Sequence, residues 1–212
     1  SRSFVWTTNL ADHEIVRLPV DIREELLAAA CLLSIAQADL RLPVCPFITT
    51  SDATPTSAGS TRDHVSESFA ESLFQHGEHK GAYTRLDWGP EDWGLSRWSG
   101  VQLPEQLSDG IRCSPWHVVD SFRFDKIDHV NIQEARAMKA ILKHQVKNVK
   151  QKCVLVNGTD SRVCLGSWAK GRSSSSSLNN IWRQCLGLLV LGDKRLVQFW
   201  LASKENPSDD PS

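Results

Sequence analysis

The sequence lacks the long apolar segments that would place a chain in or across a membrane. No run of about 18 or more apolar residues occurs among its 212 residues. The N-terminus also lacks the basic and then apolar pattern of a signal peptide. We therefore expect no membrane association and an intracellular location, cytoplasmic or nuclear. Because 41% of the residues are hydrophobic, a globular protein with a packed core is expected.

Cysteine is present, but not at the spacings that give it a special role. The six cysteines are scattered, and neither a Cys-x-x-Cys pair nor a zinc-like pairing with His occurs. Reduced, mostly buried thiols in a reducing compartment are expected. A nucleophile-elbow motif and a glycine-rich phosphate loop are also absent from the sequence, so neither a serine-hydrolase triad nor a nucleotide loop is indicated.

Basic residues are scarce in the first part of the chain and abundant in the second. Residues 1–130 contain 11 Lys and Arg against 19 Asp and Glu, whereas residues 131–204 contain 13 against 3. A basic segment of this density favours a polyanion partner, and we predict nucleic-acid contacts from Lys139, Lys143, Lys170 and Arg172. The alternatives are a solvated helix face for the lysines and a flexible surface loop beside the serine run at 173–177.

The hydrophobic pattern predicts an α/β fold with at least one parallel crossover. A helix over residues 19–40, amphipathic and capped by Asp21 with Glu24 at the capping-box position, precedes a boundary near residue 43. Residues 1–43 thus form an N-terminal segment and 44–212 a second domain. The elements predicted in that domain are an opening strand that runs through Phe47 and Ile48 to Asp52, further strands at 81–89, 117–125, 152–160 and 195–203, helices at 66–74, 129–149 and 161–171, a loop followed by a helix within 173–192, and a Trp-rich ordered insertion at about 75–116.

Carboxylates stand at the ends of several of these elements. Asp52 ends the first strand, Asp160 ends the strand at 152–160, and Asp209 and Asp210 follow the last strand. Glu134 lies at the margin of a helix's apolar face and should point at the sheet. Ligands gather at the carboxyl ends of strands in open α/β sheets, and clustered like charges are tolerable when divalent cations neutralise them.

Carboxylates without His or Cys favour Mg²⁺ or Mn²⁺ over zinc, and two such ions can hold a phosphodiester between them. Each acid alone has a plainer interpretation: Asp52 in an Asx turn, Glu134 at the helix dipole, Asp160 as a cap, Asp209 as a solvated tail residue. Asn131 is the predicted cap of its helix, and Trp168 and Trp182 are expected in the core.

Four stretches, in this order, resemble the four motifs of the ribonuclease H domain of retrotransposon polyproteins. They are "SDATPTSAG", "HVNIQEARAM", "CVLVNGTDSRV" and "WLASKENPSDDPS". The resemblance covers roughly residues 44–212, and the preceding stretch is similar to the connecting region after the polymerase part of such polyproteins. It implies a mixed five-stranded sheet whose first three strands are antiparallel, flanked by helices. The chain begins with Ser and carries no Tyr-x-Asp-Asp motif, so we expect a piece of a polyprotein that works beside a polymerase domain.

The resemblance also implies a site and a substrate. Asp52, Glu134, Asp160 and Asp209 match the metal ligands, with Asp210 as a neighbouring alternative to Asp209, and together they would hold two Mg²⁺ or Mn²⁺ ions. The implied substrate is the RNA strand of an RNA·DNA hybrid, read through its 2′-hydroxyls.

Two features depart from the family. The interval from Asp52 to Glu134 is about twice that of compact members, and no His follows His144 where many relatives carry one before the last Asp. A hybrid-binding or connection module without turnover, and an integrase-type DNA nuclease of the same fold, therefore stay as alternatives.

Overall fold

The structure of the protein is a computed structural model, which describes most of the chain. The described residues are 6–7, 9–11, 13, 15–33, 39–79 and 103–212. The chain divides into two compact units, Ser1–Arg41 and Leu42–Ser212. Most of the predicted Trp-rich insertion, including Trp88, Trp93, Trp98 and the strand predicted at 81–89, lies outside the described residues. Within the described ranges, no helix is long and apolar enough to cross a membrane.

The first unit contains helix α1, Val20–Leu32. Pro19 precedes its first turn and no side chain caps it, so the predicted cap at Asp21 is wrong. Proline preorganises the backbone at a helix start, which explains why the helix begins before the acidic residue. Of the helix residues only Ile22 is buried. The predicted amphipathic face is therefore largely exposed, as at Leu26 and Leu33.

The second unit contains five strands, five helices and a short 3₁₀ turn among its described residues. In chain order these are β1 Phe47–Ala53, β2 Ser57–His64, α2 Glu67–Gln75, α3 Glu105–Cys113, β3 His117–Arg123, α4 Val130–Asn148, β4 Cys153–Thr159, α5 Arg162–Ala169, α6 Ser176–Gly192, β5 Lys194–Trp200 and the 3₁₀ turn Ser203–Glu205.

The strands form one mixed sheet in the order β3-β2-β1-β4-β5. Strands β1, β2 and β3 pair antiparallel, whereas β4 runs parallel to both β1 and β5. This confirms the predicted α/β class and the ribonuclease H-like arrangement with three antiparallel strands first. Because β1 and β4 are central and parallel, their carboxyl ends meet at the same edge of the sheet.

Helices cover both faces of the sheet. On one face the side chains of α4, α5 and α6 pack over β4 and β5, with Leu142, Leu155 and Trp182 in the core. On the other face α2 and α3 pack over Ile48 and Phe199. Burial on both faces explains the continuous apolar run of β4, in which every residue is buried.

Of the two tryptophans predicted for the core, Trp182 of α6 is buried in it and Trp168 of α5, which is partly buried, packs against it. The Trp168 and Trp182 rings make an edge contact, with centroids 5.6 Å apart. The Trp182 ring nitrogen donates to the Ser167 hydroxyl at 3.0 Å, and the Trp168 ring nitrogen donates to the Leu196 carbonyl at 3.1 Å. They hold α5 and α6 against β5 and are not free for base stacking.

Helix α4 begins one turn before Glu134. The His129 ring nitrogen accepts from the Asn131 amide at 3.3 Å, so His129 is the cap and the prediction of Asn131 is wrong. Asn131 lies instead inside the first turn of the helix. The start of α4 is therefore fixed by His129, which places Glu134 beside the end of the sheet.

Candidate metal centre

Asp52 is positioned by the pairing of β1. It is the sixth residue of this seven-residue strand and stands opposite Gly59 of β2. Strands β2 and β4 lie on either side of β1, and the segment after β5 packs against the sheet at Gly59. Asp52 is therefore only 6% exposed. Strand β1 thus carries a buried carboxylate near its C-terminal end, although burying a charged group without a partner costs free energy.

The register of β1 and β4 brings Asp160 level with Asp52. Thr50 pairs with Gly158; Asp52 lies two residues further along β1, and Asp160 lies two residues past Gly158, directly after the end of β4. The parallel register therefore brings the two acids to the same edge of the sheet, with an oxygen of each within 4.8 Å of the other. The hydroxyl of Ser203, in the 3₁₀ turn after β5, donates to one Asp160 oxygen, Oδ2.

Glu134 extends from α4, the helix that covers the sheet face opposite to the one carrying the Asp52 side chain. Ala53 packs with Ala137 of α4, so alternation directs the neighbouring Asp52 away from that helix. Glu134 lies one turn before Ala137, at the end of β1, and accepts a hydrogen bond from the Ala53 backbone. One oxygen each of Asp52, Glu134 and Asp160 lies within 4.8 Å of the others. The structure therefore brings together three of the predicted residues.

Electrostatics in this cluster favour protonation when no cation is present. Burial, followed by the charges of Asp52 and Asp160, raises the pKa of Glu134 to about 9. Burial also raises the pKa of Asp52, with contributions from Asp160 and Asp209, against a hydrogen bond from Ser212. Among the described residues, no Lys or Arg pairs with the three acids.

The donor set fits hard divalent cations. The Glu134 side chain is 7% exposed, and its Oε2 atom is buried without a hydrogen-bond partner among the described residues. The same is true of Asp160 Oδ1. Carboxylate oxygens alone are the ligands that Mg²⁺ and Mn²⁺ prefer, and a bound cation would satisfy both unpartnered atoms.

The structure does not include the other two predicted acids in the cluster. Asp209 and Asp210 lie in an exposed turn after Pro207. Within the described part of the chain, neither joins the three oxygens that lie within 4.8 Å. The charge of Asp209 nevertheless acts on the pKa of Asp52, which puts Asp209 close to the site.

The predicted basic contacts lie away from the acids. Lys139 donates to the Gln184 side chain at 2.9 Å, which ties it to α6. Lys143 is exposed and lies nine positions after Glu134, about 180° around the helix. Lys170 and Arg172 are exposed where α5 ends, on either side of Gly171, whose φ is +66°. None of the four lines the acidic cluster, and their role in nucleic-acid binding stays a prediction.

Several polar residues near the site were not singled out from the sequence. Asn157 on β4 is buried; it accepts from the Thr49 hydroxyl at 2.8 Å and donates to the Ser51 hydroxyl at 3.3 Å. These bonds join β1 to β4 beside the acids. A polar residue inside an apolar strand was the available signal for Asn157, whereas the contact between Ser203 and Asp160 depends on the fold.

Comparison with known proteins adds no identification, because no protein-family model and no curated protein matches this sequence. Three oxygens close enough to share a cation, at the ligand-binding edge of an α/β sheet, are suited to metal-assisted phosphoryl transfer.

Proposed function

We propose that the chain is a metal-dependent endonuclease of the ribonuclease H type, which hydrolyses the RNA strand of RNA·DNA hybrids within a retroelement reverse transcriptase. The observation that carries the proposal is the meeting of Asp52, Glu134 and Asp160 within 4.8 Å at the carboxyl edge of a ribonuclease H-like sheet. The order of the four sequence motifs supports the choice of substrate and of a polymerase domain as partner.

Asp52, Glu134 and Asp160 would hold two Mg²⁺ or Mn²⁺ ions, with Asp209 as the fourth carboxylate. When bound, two such cations would supply an activated water for attack on the phosphodiester and would stabilise the leaving oxygen. Asp210 follows Asp209 in the same exposed turn and is the alternative fourth ligand.

The protein's own contribution is to orient the carboxylates and to control their charge. Ser203 donates to Asp160 Oδ2, so the second oxygen, Oδ1, is held without a hydrogen-bond partner and remains available to a cation. Glu134 holds a proton at neutral pH when no cation is present, because its pKa is about 9. Cation binding therefore releases that proton.

The substrate would be held by the basic segment, residues 131–204. Exposed Lys143, Lys170 and Arg172 are free to reach phosphates at the periphery, whereas Lys139 is already hydrogen-bonded to Gln184. Phosphate contacts set position and affinity without reading the sequence. Selectivity for RNA would rest on 2′-hydroxyl contacts in the minor groove.

A hydrolysis assay tests the proposal. A hybrid with a labelled RNA strand is incubated with the protein and Mg²⁺, and we expect cleavage that Asp52→Asn and a chelator abolish. Asp63→Asn is the matched control, because Asp63 is an equally buried aspartate of the neighbouring strand, paired with Ile48 at the other end of the sheet. Cleavage of duplex DNA in preference to the hybrid would instead indicate the integrase-type nuclease.

A second candidate is a hybrid-binding or connection module that has lost turnover. The absence of any His after His144 favours it, because relatives use such a residue near the last carboxylate. In the same assay, tight binding of the hybrid without cleavage by the unmodified chain would select this candidate over the enzyme.

A further inference from the structure

The segment after β5 is bound to the sheet by buried hydroxyl groups. Ser208 is fully buried, and its Oγ lies 2.7 Å from the Thr50 hydroxyl of β1 and 3.2 Å from the Thr61 hydroxyl of β2. The hydroxyl oxygens of those two threonines also lie 2.7 Å apart. Thr50 and Thr61 share a sheet face with Asp52, because Thr50 lies two residues before Asp52 on β1 and Thr61 pairs with Thr50. The C-terminal turn is therefore anchored on the face that carries the acid.

Asn206 provides a second anchor. Its side-chain amide donates to the Ser51 carbonyl at 3.3 Å, and its side-chain oxygen accepts from the Ser208 amide at 3.2 Å. Its backbone carbonyl accepts from the Asp209 amide at 3.1 Å. One buried residue thus fixes both the position of the turn on β1 and the backbone of Asp209.

The sheet leaves room for this turn at Gly59, the partner of Asp52. A β-carbon at position 59 would lie 2.6 Å from the Ser212 nitrogen and 2.8 Å from the Ser208 carbonyl oxygen. Such distances to backbone atoms are too short for any side chain. On β3, the Ser121 hydroxyl donates to the Pro211 carbonyl at 2.7 Å. Three strands therefore contribute to the seat.

We propose that Asn206 and Ser208 are positioning residues, which hold the exposed Asp209 at the acidic cluster so that its carboxylate completes the cation-binding set. The inference rests on the proposed metal site. An exposed carboxylate on an untethered segment would lose conformational freedom on binding a cation, whereas an anchored one has already lost it. Residues behind the ligands commonly change metal affinity by about 10- to 100-fold.

The competing explanation is that the turn merely covers the sheet, and the test separates the two. Mn²⁺ binding to the full chain is measured by calorimetry, together with the midpoint of thermal unfolding. We expect Ser208→Ala and Asn206→Ala to weaken Mn²⁺ binding about tenfold, matching the loss caused by Asp209→Asn. Thr50→Val, which removes the hydroxyl partner and keeps the shape, is compared with Thr50→Ser, which retains the hydroxyl. This second pair decides the test even where Ser208→Ala or Asn206→Ala folds poorly.

Ser167→Ala is the matched control, since Ser167 is a buried serine that accepts from Trp182 away from the turn. It should lower the unfolding midpoint without changing Mn²⁺ affinity. If Ser208→Ala and Thr50→Val bind Mn²⁺ as the wild type does while Asp52→Asn does not, the positioning role is wrong and the metal site stands. If the wild type binds no Mn²⁺, both the metal site and the positioning role are wrong.

Discussion

At the scale of single residues, the molecule concentrates negative charge where burial opposes it. Glu134 and Asp52 are almost fully buried beside Asp160, and no basic side chain of the described residues pairs with them. In the metal-free protein the cost is met by protonation, as the pKa of Glu134 at about 9 indicates. Cation binding at this site is therefore coupled to the release of these protons.

The first prediction concerns the stability of the metal-free protein as a function of pH. Between the usual Glu pKa of 4.5 and the folded value of about 9, the folded state binds more protons than the unfolded state. The free energy of unfolding therefore falls as pH rises through this window, and the raised pKa of Asp52 acts in the same direction. Denaturant titrations in a chelator should record this fall.

Glu134→Gln should flatten the profile, because the amide does not titrate, and Mg²⁺ should offset the fall in the wild type only. Asp63→Asn serves as the control and should keep the wild-type slope. A wild-type profile without any decline between about pH 5 and 9 would contradict the burial and crowding of these carboxylates.

At the scale of secondary structure, helix α4 sets the position of Glu134 by packing along its whole length. Eight of its 19 residues are buried, and Leu142 lies in the core shared with α6 and β4. The period of its apolar residues predicted the helix, and the apolar run at the start of β4, Cys153 to Val156, predicted a strand covered on both faces. Both elements could be predicted because their buried positions carry apolar residues at the spacing of a helix or in a continuous run.

Strand β2 could not be predicted in the same way. Its sequence, SAGSTRDH, is small and polar, yet five of its first seven residues are buried between β1, β3 and the C-terminal turn. Those partners come from distant parts of the chain, so local pattern does not reveal them. The caps at Pro19 and His129 were missed for a related reason, since a helix start depends on backbone geometry as well as on the side chains that favour capping.

The second prediction tests the packing of α4. Leu142→Ala removes a side chain that is 1% exposed and should lower the free energy of unfolding by about 2–5 kcal/mol. Chemical denaturation measures the change. Its neighbour Lys143 is exposed, so Lys143→Ala should change stability by less than about 0.5 kcal/mol. Equal effects of the two substitutions would contradict the assigned face of the helix.

The third prediction compares two glycines. Gly59→Ala brings a β-carbon against backbone of the C-terminal turn and should destabilise the fold and weaken Mn²⁺ binding together. Gly187 lies inside α6 with no atom within 4 Å of an added β-carbon, so Gly187→Ala should stabilise the protein by about 0.5–1 kcal/mol. Thermal unfolding and Mn²⁺ calorimetry check both, and a neutral Gly59→Ala would contradict the docking of the turn.

At the scale of the whole molecule, acids and bases are separated along the chain. Residues 131–204 contain 13 basic and 3 acidic residues, whereas residues 1–130 contain an acidic excess. The α/β class followed from the hydrophobic pattern, and the mixed sheet with three antiparallel strands first followed from the family resemblance. Of the five predicted acids, Asp52, Glu134 and Asp160 lie together, whereas Asp209 and Asp210 are not among the grouped oxygens of the described residues. The position of the basic residues did not follow from the sequence, because charge counts carry no information about which face a side chain occupies.

The fourth prediction concerns this basic segment. Replacing Lys170 and Arg172 together with Glu should weaken hybrid binding by about tenfold at low salt and reduce its salt dependence, because fewer phosphate contacts release fewer counterions. Mn²⁺ affinity should not change, since both residues lie away from the acids. Arg17→Glu with Arg23→Glu is the control, because both arginines are exposed in the first unit and the pair makes a closely similar change in net charge. Equal weakening by both pairs would contradict a localised contact.

Divalent cations shared by Asp52, Glu134 and Asp160 are central to the function proposed above, and anomalous diffraction from crystals soaked in Mn²⁺ tests this claim most directly. We predict anomalous density bounded by the three carboxylates, with metal–oxygen distances of about 2.0–2.3 Å, and its loss in Asp52→Asn crystals. Crystals of the wild type that carry Mn²⁺ elsewhere on the protein, with none between these three side chains, would contradict the claim.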